Sequence, residues 1–332
     1  TRYSTHGTSH WSNAQPLYRS AGAVGFAIAH NGNLTNTDDL SRAAGMLPGF
    51  GVSDSDVMAE LLGQRLEAVG EAGTLEQALV EVMPMVRGAF SLVLLDQHRV
   101  YGLRDPNGFR PLCIGRLERD GELDGYVLAS ETPALDVIGA TFEREVEPGE
   151  IVVLEDGGYR SLRFIEPEDT KPALCIFEFV YFARPDSQLR GQEVHTARRR
   201  MGKRLATVHP VEADMVMGVP DSGVPAAEGY AQAAGIPYGQ GLVKNRYIGR
   251  TFITPDQNAR ATGVRRKLNP LRKNITGKRL VVVDDSIVRG TTTKQLVKML
   301  REAGAAEVHL RISSPPFRWP CYYGIDTPTE GE

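Results

Sequence analysis

Two adjacent carboxylates, Asp284 and Asp285, end the apolar run Leu280-Val-Val-Val283 and are followed by Ser286, Gly290 and the threonines Thr291, Thr292 and Thr293. Paired carboxylates can accept hydrogen bonds from a sugar diol or hold a hard divalent cation. A glycine followed by hydroxyl residues at the start of a helical pattern offers backbone N–H groups to a phosphate. Carboxylates for a ribose beside a cradle for its phosphate describe a phosphoribosyl site. A bare Val-Val-Asp-Asp would fit a strand ending in a solvated acidic turn; the Gly-Thr-Thr-Thr continuation favours the site. A second segment, Gly218-Val-Pro-Asp-Ser-Gly-Val-Pro225, has the glycines that let a backbone approach a diphosphate. By itself it reads equally well as a plain β-to-α turn. Two such turns after two strands of one sheet point to a split substrate site. A third segment, Lys244 to Arg279, holds eleven Lys or Arg and one acid, Asp256. A solvated basic face or an RNA-binding patch is its generic reading, and its glycines and Pro255 suggest a mobile cationic loop.

These groups need strands and helices to hold them. The β-branched run before Asp284 reads as a strand buried on both faces, typical of a parallel sheet, and ligands bind past the carboxyl ends of such strands. Around it strands and helices alternate. Strands are expected at Met215–Val219, Leu280–Val283 and Val308–Ile312, and helices at His195–Val208, Val224–Ala234 and Thr292–Ala303. That alternation predicts βαβ units. The first half is richer in short β-like runs, at Gly25–His30, Ala89–Leu95, Arg99–Leu103, Tyr126–Ser130 and Glu150–Leu154. Helices are expected there at Asp54–Val69, capped by Ser53 or Asp54, and at Leu75–Met83. Stacked antiparallel sheets flanked by helices follow. The polar stretch Glu155–Pro172, with Gly157-Gly158, is the best linker candidate, which divides the chain into 1–166 and 167–332.

A chain of 332 residues, 41% hydrophobic, 24% charged and with net charge −3, has room for two domains with cores of their own. No apolar run is long enough to span a bilayer, so no membrane partner is expected. Near-neutral charge argues against a dedicated nucleic-acid binder. Cys113, Cys175 and Cys321 are far apart and odd in number, which suggests no disulfide framework and a reducing cytoplasm. The start, Thr1-Arg-Tyr-Ser-Thr-His-Gly7, lacks Met and a signal-peptide pattern, and reads as the middle of a domain.

Val283-Asp-Asp-Ser-Ile-Val-Arg-Gly-Thr-Thr292 resembles the phosphoribosyl-pyrophosphate (PRPP) motif of type I phosphoribosyltransferases, in the wording of the amidophosphoribosyltransferase family. The resemblance implies PRPP contacts from Asp221, Ser222, Lys244, Arg246, Asp284, Asp285, Ser286, Gly290, Thr291 and Thr292. It places Mg²⁺ at Ser222, Asp284 and Asp285, and makes the basic segment a lid over PRPP. Three further segments resemble the class II glutamine amidotransferase domain, an N-terminal-nucleophile fold: Thr1 to Gly7, Ala29-His-Asn-Gly-Asn-Leu34 and Ser53-Asp-Ser-Asp56. Alone they are an ordinary hairpin turn and helix cap; their order and spacing together are specific. They imply that Arg2 grips the glutamine α-carboxylate, Asp54 receives its amino group, Thr5 adds a contact, and Asn31 with the Gly32 amide forms an oxyanion hole.

The family's nucleophile, an N-terminal cysteine, is absent from this sequence, so free ammonia rather than glutamine is the expected nitrogen source for the chain as given. Cys113 sits in an apolar strand and is expected to be structural. Cys175 and Cys321 are by default buried apolar cysteines; in one branch of the family the matching positions ligate a [4Fe–4S] cluster, with two more ligands from a later Cys-x-x-Cys. The expected enzyme is a pentosyltransferase that makes 5-phosphoribosylamine from glutamine, PRPP and water, opening purine synthesis. Purine nucleotides as inhibitors and homo-oligomers are expected with it. The alternatives are another class II amidotransferase, such as glucosamine-phosphate synthase, and a PRPP-sensing regulator.

Overall fold

The computed structural model describes residues 13–21, 24–47, 53–70, 73–245, 267–288 and 290–325. It divides into two compact units, Thr1–Cys175 with Trp319–Gly331, and Ile176–Arg318.

The first unit contains β1 (Leu17–Ala21), β2 (Val24–Leu34), α1 (Thr37–Ala43), α2 (Asp54–Val69), α3 (Leu75–Val82), β3 (Gly88–Leu95), β4 (Val100–Arg104), β5 (Cys113–Arg119), β6 (Glu122–Ala129), α4 (Thr132–Ile138), β7 (Thr141–Glu145), β8 (Glu150–Glu155) and β9 (Gly158–Arg163). Six strands form an antiparallel sheet ordered β1-β2-β3-β4-β8-β9, and three form a second sheet ordered β6-β5-β7. Alternation along the strands sorts the side chains. Ile151 and Val153 join Phe26, Ile28, Phe90 and Leu92 against Val57, Met58, Leu62 and Leu79 of the helices. Val152 and Leu154 point the other way, onto Leu112 and onto Ile114 and Leu128 of the smaller sheet. The expected stacked sheets flanked by helices are therefore present. The Ser53 side chain accepts from the Asp56 amide to start α2, and Thr74 with Gln77 forms a capping box on α3.

The proposed linker Glu155–Pro172 needs correction. Asp156 and Gly157 turn a hairpin, and Gly158–Arg163 pairs with β8 from Glu155↔Gly158 to Glu150↔Arg163. The stretch looked like a linker because β9 is an edge strand whose residues are nowhere fully buried, with only Tyr159 and Leu162 packing against the cores.

The second unit contains the short pair β10 (Gln188–Leu189) and β11 (Gln192–Glu193), then α5 (Val194–Val208), β12 (Met215–Gly218), α6 (Val224–Ala234), β13 (Leu242–Lys244), β14 (Leu268–Pro270), α7 (Arg272–Ile275), β15 (Arg279–Asp284), α8 (Thr291–Glu302) and β16 (Glu307–Ile312). β12, β15 and β16 form a parallel sheet with β15 in the middle. Both faces of β15 are covered: Leu280 and Val282 pack with Leu296 and Leu300 of α8, Val281 and Val283 with Ala227 and Tyr230 of α6. Each such side chain contributes about 2 kcal/mol by leaving water, and together they hold the carboxyl end of β15 in place. The reading of Lys244 to Arg279 as one mobile loop is also corrected in part. β13 pairs with β14, and Leu268 and Ile275 are buried; apolar residues spaced among the cations anchor the segment's ends. No helix among the described residues is long and apolar enough to cross a membrane.

Candidate active sites

In the second unit, parallel pairing sets the ends of β12 and β15 side by side, with Gly218 opposite Val283. The turn after β12 is locked to β15 by the Val219 amide, which donates to the Val283 carbonyl at 2.9 Å. Gly218 and Gly223 allow this: a Cβ on Gly218 would come within 2.7 Å of Val224 Cα, and one on Gly223 within 3.0 Å of the Val219 carbonyl oxygen. The result joins the two predicted loops. The Ser222 hydroxyl donates to one oxygen of Asp285, and the Ser286 hydroxyl donates to the other. Asp285 is 6% exposed. Burial pushes its carboxyl up against the pull of these two hydroxyls. Burial, reinforced by the neighbouring Asp285 charge, pushes Asp284 up to about 7.

Two desolvated carboxylates that resist ionising together form a site a cation would relieve. Oxygen donors, two carboxylates and a hydroxyl, suit Mg²⁺, which takes one or two carboxylates and fills its shell with substrate oxygens and water. Among the described residues no group of three or more His, Cys, Asp or Glu side chains stands together as a metal site. Past the tip of β15, Gly290 leads into α8. Gly290 adopts a left-handed conformation (φ 70°) at the N-cap, and no side chain caps the helix, so Thr291 and Thr292 begin it with amides turned outward. The Lys244 ammonium pairs with the Asp221 carboxylate. Arg246 lies outside the described residues.

The residues that the sequence assigns to glutamine fall in the first unit. Asn31 and Gly32 lie in β2, opposite Ser91 and Phe90. The Phe90 amide donates to Asp105 Oδ2 at 3.1 Å and its carbonyl accepts from the Asp105 amide at 2.8 Å. Phe90 therefore faces β4, and Gly32 opposite it turns its own amide away from β3. On that edge the His30 amide donates to Gln15 Oε1 at 2.8 Å and the Leu34 amide to Asp54 Oδ2 at 3.3 Å. The Gly32 amide lies between these two, beyond the last β1 pairing at Ile28. Gly32 has φ 149°, and a Cβ there would stand 2.9 Å from His30 Nε2 and closer still to the Ala89 carbonyl. Only glycine fits.

The side chains of His30 and Asp54 are 2% and 3% exposed, with Nδ1 3.5 Å from Asp54 Oδ2 and 3.2 Å from Ser55 Oγ. Burial alone would raise the Asp54 carboxyl; hydrogen bonding and charge from His30 and the amides of Ser55 and Leu34 outweigh it and bring it to about 2. Asp54 is thus held as an anion. The sequence reading missed His30, Ser55 and Gln15. His30 and Ser55 stand beside Asn31 and Asp54 within the quoted motifs, which was the available signal; the contacts from His30 to Asp54 and Gln15 join distant segments. Arg2 and Thr5 lie outside the described residues.

Cys113 is buried, its thiol donates to the Ala129 carbonyl at 3.3 Å, and burial with the Glu145 charge pushes it up to about 12. That is an inert, structural thiol. Cys175 and Cys321 belong to the same unit. The Cys175 amide donates to the Phe109 carbonyl at 3.2 Å, and the Phe109 ring stacks on Tyr323 at 4.5 Å, two residues beyond Cys321. Cys175 and Cys321 are both of intermediate burial.

Comparison with known proteins matches both halves of the chain to domain families. Residues 2–137 match the glutamine amidotransferase domain family and residues 192–313 the phosphoribosyl transferase domain family. The whole chain is 54% identical to the amidophosphoribosyltransferase of Mycobacterium tuberculosis (strain H37Rv), of which it spans 62%. It is 48% identical to that of Bacillus subtilis (strain 168), of which it spans 68%. Among solved structures, the chain superposes on the allosteric regulatory enzyme of purine biosynthesis with a TM-score of 0.86 at 47% identity, covering 100% of this chain and 69% of the other. The glutamine PRPP amidotransferase from B. subtilis complexed with ADP and GMP gives 0.85 at 47% identity, covering 99% and 70%.

Proposed function

The chain belongs to the amidophosphoribosyltransferase family, and from that premise we propose that its protein transfers glutamine-derived ammonia to PRPP, giving 5-phosphoribosylamine and diphosphate as the opening step of purine synthesis. The observation that carries the proposal is the Ser222 hydroxyl bound to Asp285, which draws the diphosphate turn and the ribose-phosphate strand end into one site. Asp284 and Asp285 take the ribose hydroxyls, the amides of 218–223 the diphosphate, and the start of α8 with Thr291 and Thr292 the 5′-phosphate. Ser286 orients Asp285, and Gly290 lets the chain enter α8. Lys244 and Arg246 exchange toward the diphosphate, Lys244 leaving Asp221. Asp284, Asp285 and Ser222 would hold Mg²⁺, which when bound would neutralise charge on the leaving diphosphate. The C1–O bond to diphosphate breaks and the ammonia nitrogen bonds to C1 through an oxocarbenium-like state. Positioning and charge do this work, without a protein nucleophile.

The glutamine half, 1–166 in this reading, binds the substrate carboxylate through Arg2 and its ammonium through Asp54, with Thr5 in contact. Asn31 and the Gly32 amide receive the tetrahedral oxyanion. The transferase half is 167–332. The reading extends to a [4Fe–4S] cluster with Cys175 and Cys321 as two ligands, supported by the Phe109 contacts of Cys175 and of Tyr323, whose amide donates to Cys321 Sγ, and to purine nucleotides as inhibitors, supported by the ADP and GMP of the relative. The match to a phosphoribosyl transferase domain sets aside glucosamine-phosphate synthase, and the glutamine domain match sets aside a bare PRPP sensor. Titration with PRPP and Mg²⁺, followed by diphosphate release with ammonium and with glutamine, tests the proposal. Binding that is lost in the Asp284→Asn/Asp285→Asn double variant supports it; unchanged PRPP affinity in that variant overturns it.

A further inference from the structure

The segment after the parallel sheet does not stay with it. Residues from Trp319 belong to the first unit, and 322–324 lie against the end of β2. Asn33 Nδ2 donates to the Tyr322 carbonyl at 2.9 Å, and Arg110 Nη2 to the Tyr323 carbonyl at 3.0 Å. The Tyr323 ring stacks on Phe109. Gly324, at φ 104°, is so close that a Cβ would stand 2.9 Å from Arg110 Nη2 and 3.7 Å from the Gly32 carbonyl carbon. The loop that receives the segment is itself rigid. The Asp105 carboxylate accepts the amides of Phe90, Asn107 and Phe109, and the Arg110 carbonyl accepts from Ser91 Oγ at 3.1 Å and Arg104 Nε at 2.8 Å. Phe90 and Ser91 are the residues opposite Gly32 and Asn31. The proposed oxyanion hole is therefore gripped from two sides, by β3 and its loop, and by 322–324.

We propose that Tyr322–Gly324 is a positioning segment for the oxyanion hole, acting through Asn33, Arg110 and the backbone of Gly32, so that glutamine chemistry depends on residues that follow the transferase fold in sequence. The proposal rests on the glutamine-site reading given above. An oxyanion hole works on charge that develops in the transition state, so loosening it lowers kcat more than it alters substrate affinity.

The test uses the protein expressed from its complete reading frame, with Asn33→Ala, Gly324→Ala and the double variant assayed for glutamine hydrolysis and for ammonia-dependent diphosphate release. Glutamine kcat should fall about tenfold or more in each single variant, with KM within about twofold and the ammonia-dependent rate unchanged. The double variant should be little worse than the poorer single one, because both act on one unit. Unchanged glutamine kcat, independent multiplying effects, or a parallel fall in the ammonia-dependent rate overturns the proposal. Asn31→Ala separates this from failure of the site reading itself. If Asn31→Ala leaves glutamine turnover intact, the glutamine site is wrong; if it abolishes turnover while Asn33→Ala and Gly324→Ala do not, only the positioning role is wrong.

Discussion

Asp54 and Gly32 show how much one residue carries. The Asp54 carboxyl, at about 2 against an ordinary 3.8, is depressed in the fold, so its stabilising contribution is complete above the unfolded value and is lost as pH falls towards the folded one. At 1.36 kcal/mol per pH unit that contribution is about 2.5 kcal/mol. Asp54→Asn should therefore unfold at lower denaturant than the parent at about pH 6, with the gap closing as pH approaches 2. Denaturant titrations across that window measure it, and a pH-independent gap refutes the assignment. At Gly32 the added methyl of Gly32→Ala meets the Ala89 carbonyl and an unfavourable φ. A loss of at least about 2 kcal/mol is expected, together with glutamine turnover, read by the same denaturant titration and a glutaminase assay.

Between elements, the tightest contact is that of α5 with α6. A Cβ on Gly202 would overlap the Ala226 carbonyl, and one on Gly229 the Arg199 carbonyl. The two helices approach backbone to backbone, and α6 begins directly after the turn that carries Ser222. Gly202→Ala should cost about 1–3 kcal/mol by overpacking, a fall in Tm of roughly 3–10 °C for a chain of this size, measurable by calorimetry. It should also weaken Mg²⁺-dependent PRPP binding, because the displaced α6 drags Ser222 from Asp285. A lowered Tm with unaltered PRPP affinity would separate packing from the site.

For the molecule as a whole, the proposed chemistry is divided between two units, and the two activities should be separable. In the protein expressed from its complete reading frame, Asp54→Asn is expected to abolish glutamine-dependent diphosphate release while leaving ammonia-dependent release intact. The Asp284→Asn/Asp285→Asn variant should abolish both. Parallel assays with ammonium and glutamine distinguish these outcomes, and loss of ammonia-dependent activity in Asp54→Asn would contradict the division of labour.

Local patterns carry local information. The bounds of α2 at Asp54–Val69 and α6 at Val224–Ala234 were legible because caps, glycines and apolar spacing lie within the helix itself. The acids at the tip of β15 were legible because a buried strand must read as an unbroken apolar run. β9 was not legible: an edge strand without a fully buried residue has no pattern to distinguish it from a linker, and its pairing with β8 is decided by the hairpin. The same limit applies to the sites. Asn31, Gly32, Asp54, Asp284 and Asp285 could be named from the chain. That Ser222 binds Asp285 across 63 residues, that His30 stands under Gly32, and that Tyr322 returns to Asn33 across 289 residues were decided only by tertiary structure. Those contacts depend on which strand ends and loops the packed sheets bring together, and no short stretch of sequence encodes that.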